Sequence, residues 1–352
     1  MSDVSTPGAR LPIAVSGAGG IGRFHIERAL ASPHVTLAAI ADPTQAAADL
    51  AAQVGVPWFA DYRAILEKTR PRAAIVATPN ATHVPIGLDL VARKVAALIE
   101  KPIADCAEAA RTLCDAASAA GVPLLVGHQR RHNPIIARAR ALMNDGVVGR
   151  PVSVTALCTW LKPEAYYEVE WRRQPGGGPV LINLIHDIDL LRHLVGEIAT
   201  VQAITSSAVR GYPVEDSAAV MLRFANGALG TVSVTDTAVA PWNWDLAAGE
   251  AAHYPLQDVN SIYISGTEGS LTLPRLEVWR YKGARGWHEP LSVERAAPHL
   301  RDPYAEQLRH LRAVVEGREA PLCSGVDGLR TLEATLAVHS AAASGLAVSL
   351  PA

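Results

Sequence analysis

The stretch LPIAVSGAGGIG, residues 11–22, decides the fold. An apolar run, LPIAVS, passes directly into Gly17, Gly19, Gly20, Ile21 and Gly22, and the residues that follow have helical composition. A GxGxxG pattern between a strand and a helix has a physical purpose: Gly17 permits the tight turn, Gly19 lets backbone approach a pyrophosphate, and Gly22 allows close helix–strand packing. Gly20 and Ile21 then open a helix whose unpaired N–H groups and dipole favour negative charge. The next apolar run, VTLAAIAD (35–42), ends in Asp42, 20 residues after Gly22. A carboxylate there suits the ribose 2′-hydroxyl of NAD and repels the 2′-phosphate of NADP. NAD is favoured, with NADP left open; a plain structural turn with Asp42 as a helix cap is the bland alternative.

Working outward, three more apolar runs alternate with helical sequence: AAIVAT (73–78), VAALIE (95–100) and PLLVG (123–127). Strands alternating with helices predict a parallel, doubly wound sheet covered on both faces. Ligands of such sheets bind beyond the carboxyl ends of strands. That rule puts Thr78, Pro79, Asn80 and His83 beside the crevice, then Glu100 and Lys101, then His128, Gln129 and Arg130 with Arg131. Lys101, preceded by Glu100 and held before Pro102, reads as a fixed cation beside a nicotinamide rather than a solvated surface lysine.

After residue 128 the texture changes. Successive strand-like runs without intervening helices predict a second, α+β domain with an open, mostly antiparallel sheet. The expected division is 1–128 for the cofactor and 129–352 for substrate and oligomerisation. Within the second part, GGGPVLINLIHDIDLLRHL (176–194) threads polar residues through an apolar helix. On α-helical spacing Asn183, His186 and Asp187 share a face, as a polar cavity wall would, while Asp189 and His193 lie elsewhere. A hydrogen-bonded core histidine is the bland alternative, and a metal site from His186, Asp189 and His193 is not expected. The preceding loop, WLKPEAYYEVEWRRQPGGG (160–178), is long for a connector; it offers Trp171 and Arg172, and Lys162, Tyr166, Tyr167 and Arg173 to bind polar substrate groups or to cap a subunit interface.

Bulk properties exclude several classes. The 352 residues are 49% hydrophobic and 19% charged, with formal net charge -2, so no whole-chain field attracts nucleic acid or an anionic membrane. No apolar run approaches a membrane span, and MSDVSTPGAR lacks the apolar core of a secretory signal. Cys106, Cys114, Cys158 and Cys323 show no CxxC spacing and read as reduced thiols, so a cytoplasmic location is expected.

GAGGIG, TPNATH, EKP, GHQRRHNP, EVEWRRQPGGG, HDIDLLRHL and ISGTEGSL occur in the order and spacing of the Gfo/Idh/MocA oxidoreductases. The chain resembles that family from Leu11 to near Ala343. The resemblance implies a Rossmann domain plus a C-terminal α/β domain whose open sheet forms subunit interfaces, hence a homodimer or homotetramer. It also implies hydride transfer between a nicotinamide cofactor and a ring carbinol of a sugar, cyclitol or related polyol. His186 matches the family's general acid/base, Lys101 would stabilise the alkoxide, and Trp171 and Arg172 match a motif near the cofactor. Which of Lys101 and His186 takes the proton stays open. The chain departs from many sugar and cyclitol dehydrogenases of the family by carrying Ile182 where they have Asp; Asn183 and Asp187 adjoin. A carboxylated substrate held by the arginines after residue 128 is a further expectation. Rival readings are an NAD-sensing regulatory protein and an NAD-dependent glycosidase-type elimination on the same fold.

Overall fold

The computed structural model describes residues 9–298 and 301–351. Its first stretch alternates as the pattern predicts: β1 (Leu11–Ser16), α1 (Gly20–Ala31), β2 (Val35–Ala41), α2 (Gln45–Val54), β3 (Trp58–Phe59), α3 (Tyr62–Lys68), β4 (Ala73–Val76), α4 (His83–Ala92), β5 (Ala96–Ile99), α5 (Ala107–Ala120) and β6 (Leu124–Val126). The six strands pair in parallel in the order β3-β2-β1-β4-β5-β6. β4 and β5 are buried at every residue, the burial expected of central strands covered on both faces, and so is the edge strand β6. Strand order reverses between β1 and β4, and the glycine loop leaves β1 at that switch point. The two-residue edge strand β3 has no sequence signal, since two residues cannot display a period.

The second stretch contains α6 (Pro134–Asn144), β7 (Pro151–Thr159), α7 (Ile185–Leu194), β8 (Ile198–Ser206), β9 (Ser217–Phe224), β10 (Leu229–Thr235), α8 (Trp244–Ala247), β11 (Ile262–Gly266), β12 (Ser270–Leu273), β13 (Glu277–Arg280) and β14 (Ser292–Arg295). α9 (Pro303–Val315), α10 (Gly325–Ser344) and β15 (Val348–Ser349) follow. Nine strands form one sheet, β14-β13-β12-β11-β7-β10-β9-β8-β15. The sheet is mostly antiparallel, as expected, with one parallel pair at its centre, β7 beside β10. β9 and β10 alternate buried and exposed residues, so one sheet face packs on the core and the other is open. α7 contributes Ile188, Leu190 and Leu191 to that core.

Contacts divide the chain into two compact units. One runs to His132 and also takes in Asp302–Leu332; the other comprises Asn133–Arg301 and Glu333–Ala352. This differs from the single break after residue 128 that the sequence suggests. α9 returns to the first unit, where Leu308, Leu311 and Val314 enter the core of the parallel sheet. Arg28 of α1 donates to Asp302 at 3.0 Å, and Phe24 meets Tyr304 edge-on at 4.8 Å. A helix looks the same in sequence whichever core its apolar stripe enters, so local pattern gives no warning of the return. Among the described residues no helix is long and apolar enough to cross a membrane.

Candidate active site

In the first unit the glycine loop is wedged against its neighbours. Gly17 has φ +91, and a Cβ there would lie 2.4 Å from the Ala77 carbonyl oxygen; a Cβ on Gly22 would lie 2.0 Å from the Gly17 carbonyl oxygen. Neither position admits a side chain. At Gly19 and Gly20 an added Cβ would meet nothing within 4 Å. The protein itself therefore gives no steric reason for glycine at those two positions, whereas a pyrophosphate lying against the backbone does. A cavity of about 670 Å³ opens there, lined by Gly17, Gly19, Asp42, Thr44, Thr78 and Pro79 among others. Asp42 leaves the end of β2 and is fixed by three bonds: Ala18 N–H donates to Oδ2 at 2.8 Å, while Thr44 donates N–H and Oγ1–H to Oδ1 at 2.9 and 2.6 Å. Burial raises its pKa, but the bonds from Thr44 and Ala18 and the charge of Arg23 outweigh that and hold it below the ordinary value. Arg63 also lines the cavity, yet it is paired with Asp61 at 3.6 Å and Asp89 at 3.2 Å. A nucleotide ribose would meet a carboxylate rather than an uncommitted cation, so the residues present fit NAD.

The ends of β4 and β5 separate into lining and support. Thr78 and Pro79 line the cavity, and Asn80 opens a short 3-10 turn, Asn80–Thr82. His83 is different. It is 1% exposed, and its ring nitrogens lie 2.8 Å from the carbonyls of Thr78 and Pro102. The ring ties the turn after β4 to the turn after β5 and faces backbone, not the crevice. Glu100, 6% exposed, likewise braces: Oε1 lies 2.7 Å from His25 Nε2, and Oε2 accepts the Lys101 N–H at 3.1 Å. Burial raises the Glu100 pKa, and His25 together with Lys101 brings it below the ordinary value. Both residues, expected as cofactor ligands, are supports for the turns that carry Thr78 and Lys101. His25 gave no sequence signal, being one polar residue in an ordinary helix. Lys101 itself is half-buried at the carboxyl end of β5.

His128, Gln129, Arg130 and Arg131 follow β6, the last three in a 3-10 turn, and are 1%, 8%, 4% and 4% exposed. Arg131 donates to the Leu322 carbonyl at 2.9 Å and faces Asp327 at 3.3 Å, both in the returning segment. The expected cationic crevice is thus a buried set of side chains, with Arg131 anchoring chain rather than awaiting a carboxylate.

In the second unit α7 does not begin as a regular helix. Val180–Leu184 forms a π-helical turn, closed by i→i+5 bonds, before α-helical geometry sets in at Ile185. The extra residue in that turn breaks the α-helical spacing from which Asn183, His186 and Asp187 were expected to share a face. Asp187 and Asp189 are each 1% exposed inside the packing, Asn183 is buried, and His186 is half-buried. Asp187 is accordingly not an exposed member of a polar wall. Among the described residues no three His, Cys, Asp or Glu side chains group as metal ligands.

Asn183 instead joins Lys162. β7 and β10 run side by side in parallel, pairing Thr159 with Thr235, so the residues just past them emerge at one edge. Lys162, 5% exposed, donates from Nζ to Asn183 Oδ1 at 2.7 Å and lies 3.4 Å from Asp236 Oδ2. Tyr167 donates its hydroxyl to the same Oδ2 at 2.5 Å, and Arg210 Nε lies 3.6 Å from Oδ1. Burial lowers the Lys162 pKa, with Asp236 opposing, and burial raises those of Tyr166 and Tyr167. The Lys162 ammonium also faces the Tyr166 ring at 4.7 Å, and the Arg172 guanidinium covers that ring at 4.0 Å while donating to the Tyr166 carbonyl at 2.8 Å. Trp171 beside it is half exposed. Sequence reasoning named Lys162, Tyr166, Tyr167 and Asn183 but missed Asp236 and Arg210. The available signal was Asp236 itself, a carboxylate ending the apolar run GALGTVSVTD.

Two family descriptions match the chain: an oxidoreductase family with an NAD-binding Rossmann fold over residues 11–128, and a GFO/IDH/MocA C-terminal domain over residues 136–272. The rhizopine catabolism protein MocA of Rhizobium meliloti is 30% identical over 231 residues, spanning 64% of this chain and 71% of that protein. The chain belongs to the Gfo/Idh/MocA oxidoreductases. As a member it is an NAD-dependent oxidoreductase with a Rossmann cofactor domain. Another relative in the family, scyllo-inositol 2-dehydrogenase (NAD(+)) of Bacillus subtilis strain 168, is 25% identical over 96% of this chain and 95% of its own. The WlbA dehydrogenase of Bordetella pertussis, solved with NADH and UDP-GlcNAcA, shares the fold with a TM-score of 0.79 at 24% identity, covering 98% of this chain and 100% of that one. In this Gfo/Idh/MocA chain the NAD-binding match ends at residue 128, while the compact unit that contains it also takes in α9.

Proposed function

We propose that the protein transfers hydride between NAD and a ring hydroxyl or ketone of a sugar, cyclitol or related polyol. The presence of both Lys101 at the end of β5 and a half-buried His186 on α7 carries the proposal: a sensor or scaffold would need neither. Gly17, Gly19, Gly22 and Asp42 would hold the dinucleotide, with Thr78 and Pro79 along the same cavity. When bound, the nicotinamide supplies the hydride acceptor or donor. The rest falls to side chains. A secondary alcohol keeps its proton far above neutral pH, so the proton must be taken up as the carbon is oxidised. An imidazole can hold or release a proton at working pH, which suits His186 as the general acid/base. The Lys101 ammonium would stabilise charge developing on oxygen, and the Glu100 brace fixes the backbone from which it projects.

Apolar side chains on the open sheet face support self-association. Ile204, Met221, Leu229, Tyr263 and Val293 are 76%, 53%, 57%, 40% and 48% exposed on one side of the sheet. A patch of this kind on a soluble fold marks an interface. None of Cys106, Cys114, Cys158 and Cys323 is in a disulfide, which supports a reducing, cytoplasmic setting.

Following NADH absorbance across a panel of cyclitols, aldoses and anhydrosugars tests the activity. Net NADH formation with any of them is the expected result. Product without NADH would move the assignment to elimination, and binding of NAD without turnover of any alcohol would move it to sensing.

A further inference from the structure

A second cavity, of about 640 Å³, lies wholly within the second unit beside Lys162, a volume in the range of small-molecule sites. Trp160, Leu161, Tyr166, Val239, Leu246 and Tyr254 are among the residues of its wall, with Trp160 and Tyr254 packed edge-on at 5.7 Å. Against that wall stands one buried ammonium. Lys162 has three N–H donors; one goes to Asn183 and one faces Asp236, which leaves a third for an occupant. Arg210, the other cation on Asp236, is paired with Glu164 at 2.7 Å, so Asp236 is left to balance the Lys162 charge and a neutral acceptor suits the third donor better than an anion. The other polar groups in the lining are few, Gln257, the Trp160 indole N–H and two tyrosine hydroxyls, so most hydroxyl groups of a bare polyol pressed against this largely apolar wall would give up water without gaining partners.

We propose that this cavity takes an apolar group carried by the substrate, an aryl ring or short alkyl chain, whose linking oxygen accepts from Lys162. The word substrate rests on the dehydrogenase reading; the cavity's preference does not. Lys162 connects the cavity to Asn183, three residues before His186, so the group would be an appendage of the reacting ring. An ether or glycosidic oxygen fits the third Lys162 donor. A carboxylate does not.

The test reads binding and turnover separately. Ligand-detected NMR with 2-phenoxyethanol and, as control, glycerol measures the cavity alone, without NAD. Phenoxyethanol is expected to bind and glycerol not. Leu246→Asp places a charge in the wall, and Val239→Asp places one at the rim, where Val239 is 90% exposed and folding is not at risk. Both are expected to weaken phenoxyethanol binding about tenfold or more while leaving NAD affinity unchanged. For whichever polyol the NADH panel identifies, its phenyl ether or glycoside should show a KM at least about tenfold lower, and Val239→Asp should erase that advantage. Absence of phenoxyethanol binding, or equal binding in both variants, overturns the proposal even if polyols are oxidised. Loss of subunit mass in Val239→Asp by light scattering would also overturn it, since a second copy of the chain would then be the occupant. A chain that oxidises no polyol yet binds phenoxyethanol in this way fails only the dehydrogenase reading.

Discussion

The two cavities sit at the carboxyl ends of parallel strands, yet they are built from different materials. The crevice beyond β1 and β2 is shaped by backbone: two glycines that cannot bear a Cβ, two that need not lack one, and a carboxylate held by neighbours within the loops. The cavity beyond β7 and β10 is shaped by side chains, with Lys162, Asn183, Asp236, Tyr167 and Arg210 brought from separate parts of the chain into one buried network. A backbone site binds what many enzymes share. A side-chain site can be rewritten one residue at a time, which would suit the selection of a substrate.

The contrast can be broken most severely at His186. His186→Ala should lower kcat by about 10²–10⁴-fold while NAD affinity, read by fluorescence titration, stays near wild type. Retained turnover would leave the second unit with no part in the proton transfer. Next in size, Asp236→Ala leaves the Lys162 ammonium buried without its counter-charge, a loss of about 3–5 kcal/mol in urea unfolding. Unchanged stability would mean that the network is not what shapes that cavity.

Two glycine variants sharpen the other side. Gly22→Ala drives a Cβ into the Gly17 carbonyl and should destabilise the fold by about 1–3 kcal/mol, whereas Gly19→Ala should leave the melting temperature alone and weaken NAD binding. Equal melting losses in both would remove the case that Gly19 is kept for a ligand. The smallest effect concerns the Glu100 brace. Its pKa is held below 4.5, so its contribution is full above pH 4.5 and is lost as pH falls through the lowered folded-state value. Urea midpoints followed downward from pH 4.5 should fall less steeply in Glu100→Gln than in the wild type; parallel curves would show that the His25–Glu100 pair stabilises nothing.

The sequence was most legible where structure is local. Strand–glycine–helix, the β-runs that follow and the carboxylate at position 42 each express themselves within a few residues, and all of them lead to the cavity that Gly17, Gly19, Asp42 and Thr78 line. It was partly legible on α7, where polar residues in an apolar helix announced a special segment. There the assumed helical period failed, because a π turn shifts every face beyond it and single-residue insertion leaves no mark in composition. His83 and Glu100 show a third degree: their position at strand ends was right, but sequence cannot tell a residue that lines a crevice from one that braces its wall.

What the sequence determined alone was the order of elements, the parallel sheet, the phosphate-binding turn and the charge at its far end, because each follows from backbone sterics and nearest-neighbour chemistry. Tertiary structure alone decided that α9 returns to the first core and that Asp236 neutralises Lys162. The same is true of His83, whose ring ties the turn after β4 to the turn after β5 through two backbone carbonyls. These depend on which distant groups are brought out of water together, and burial is a property of the packed chain rather than of any stretch within it.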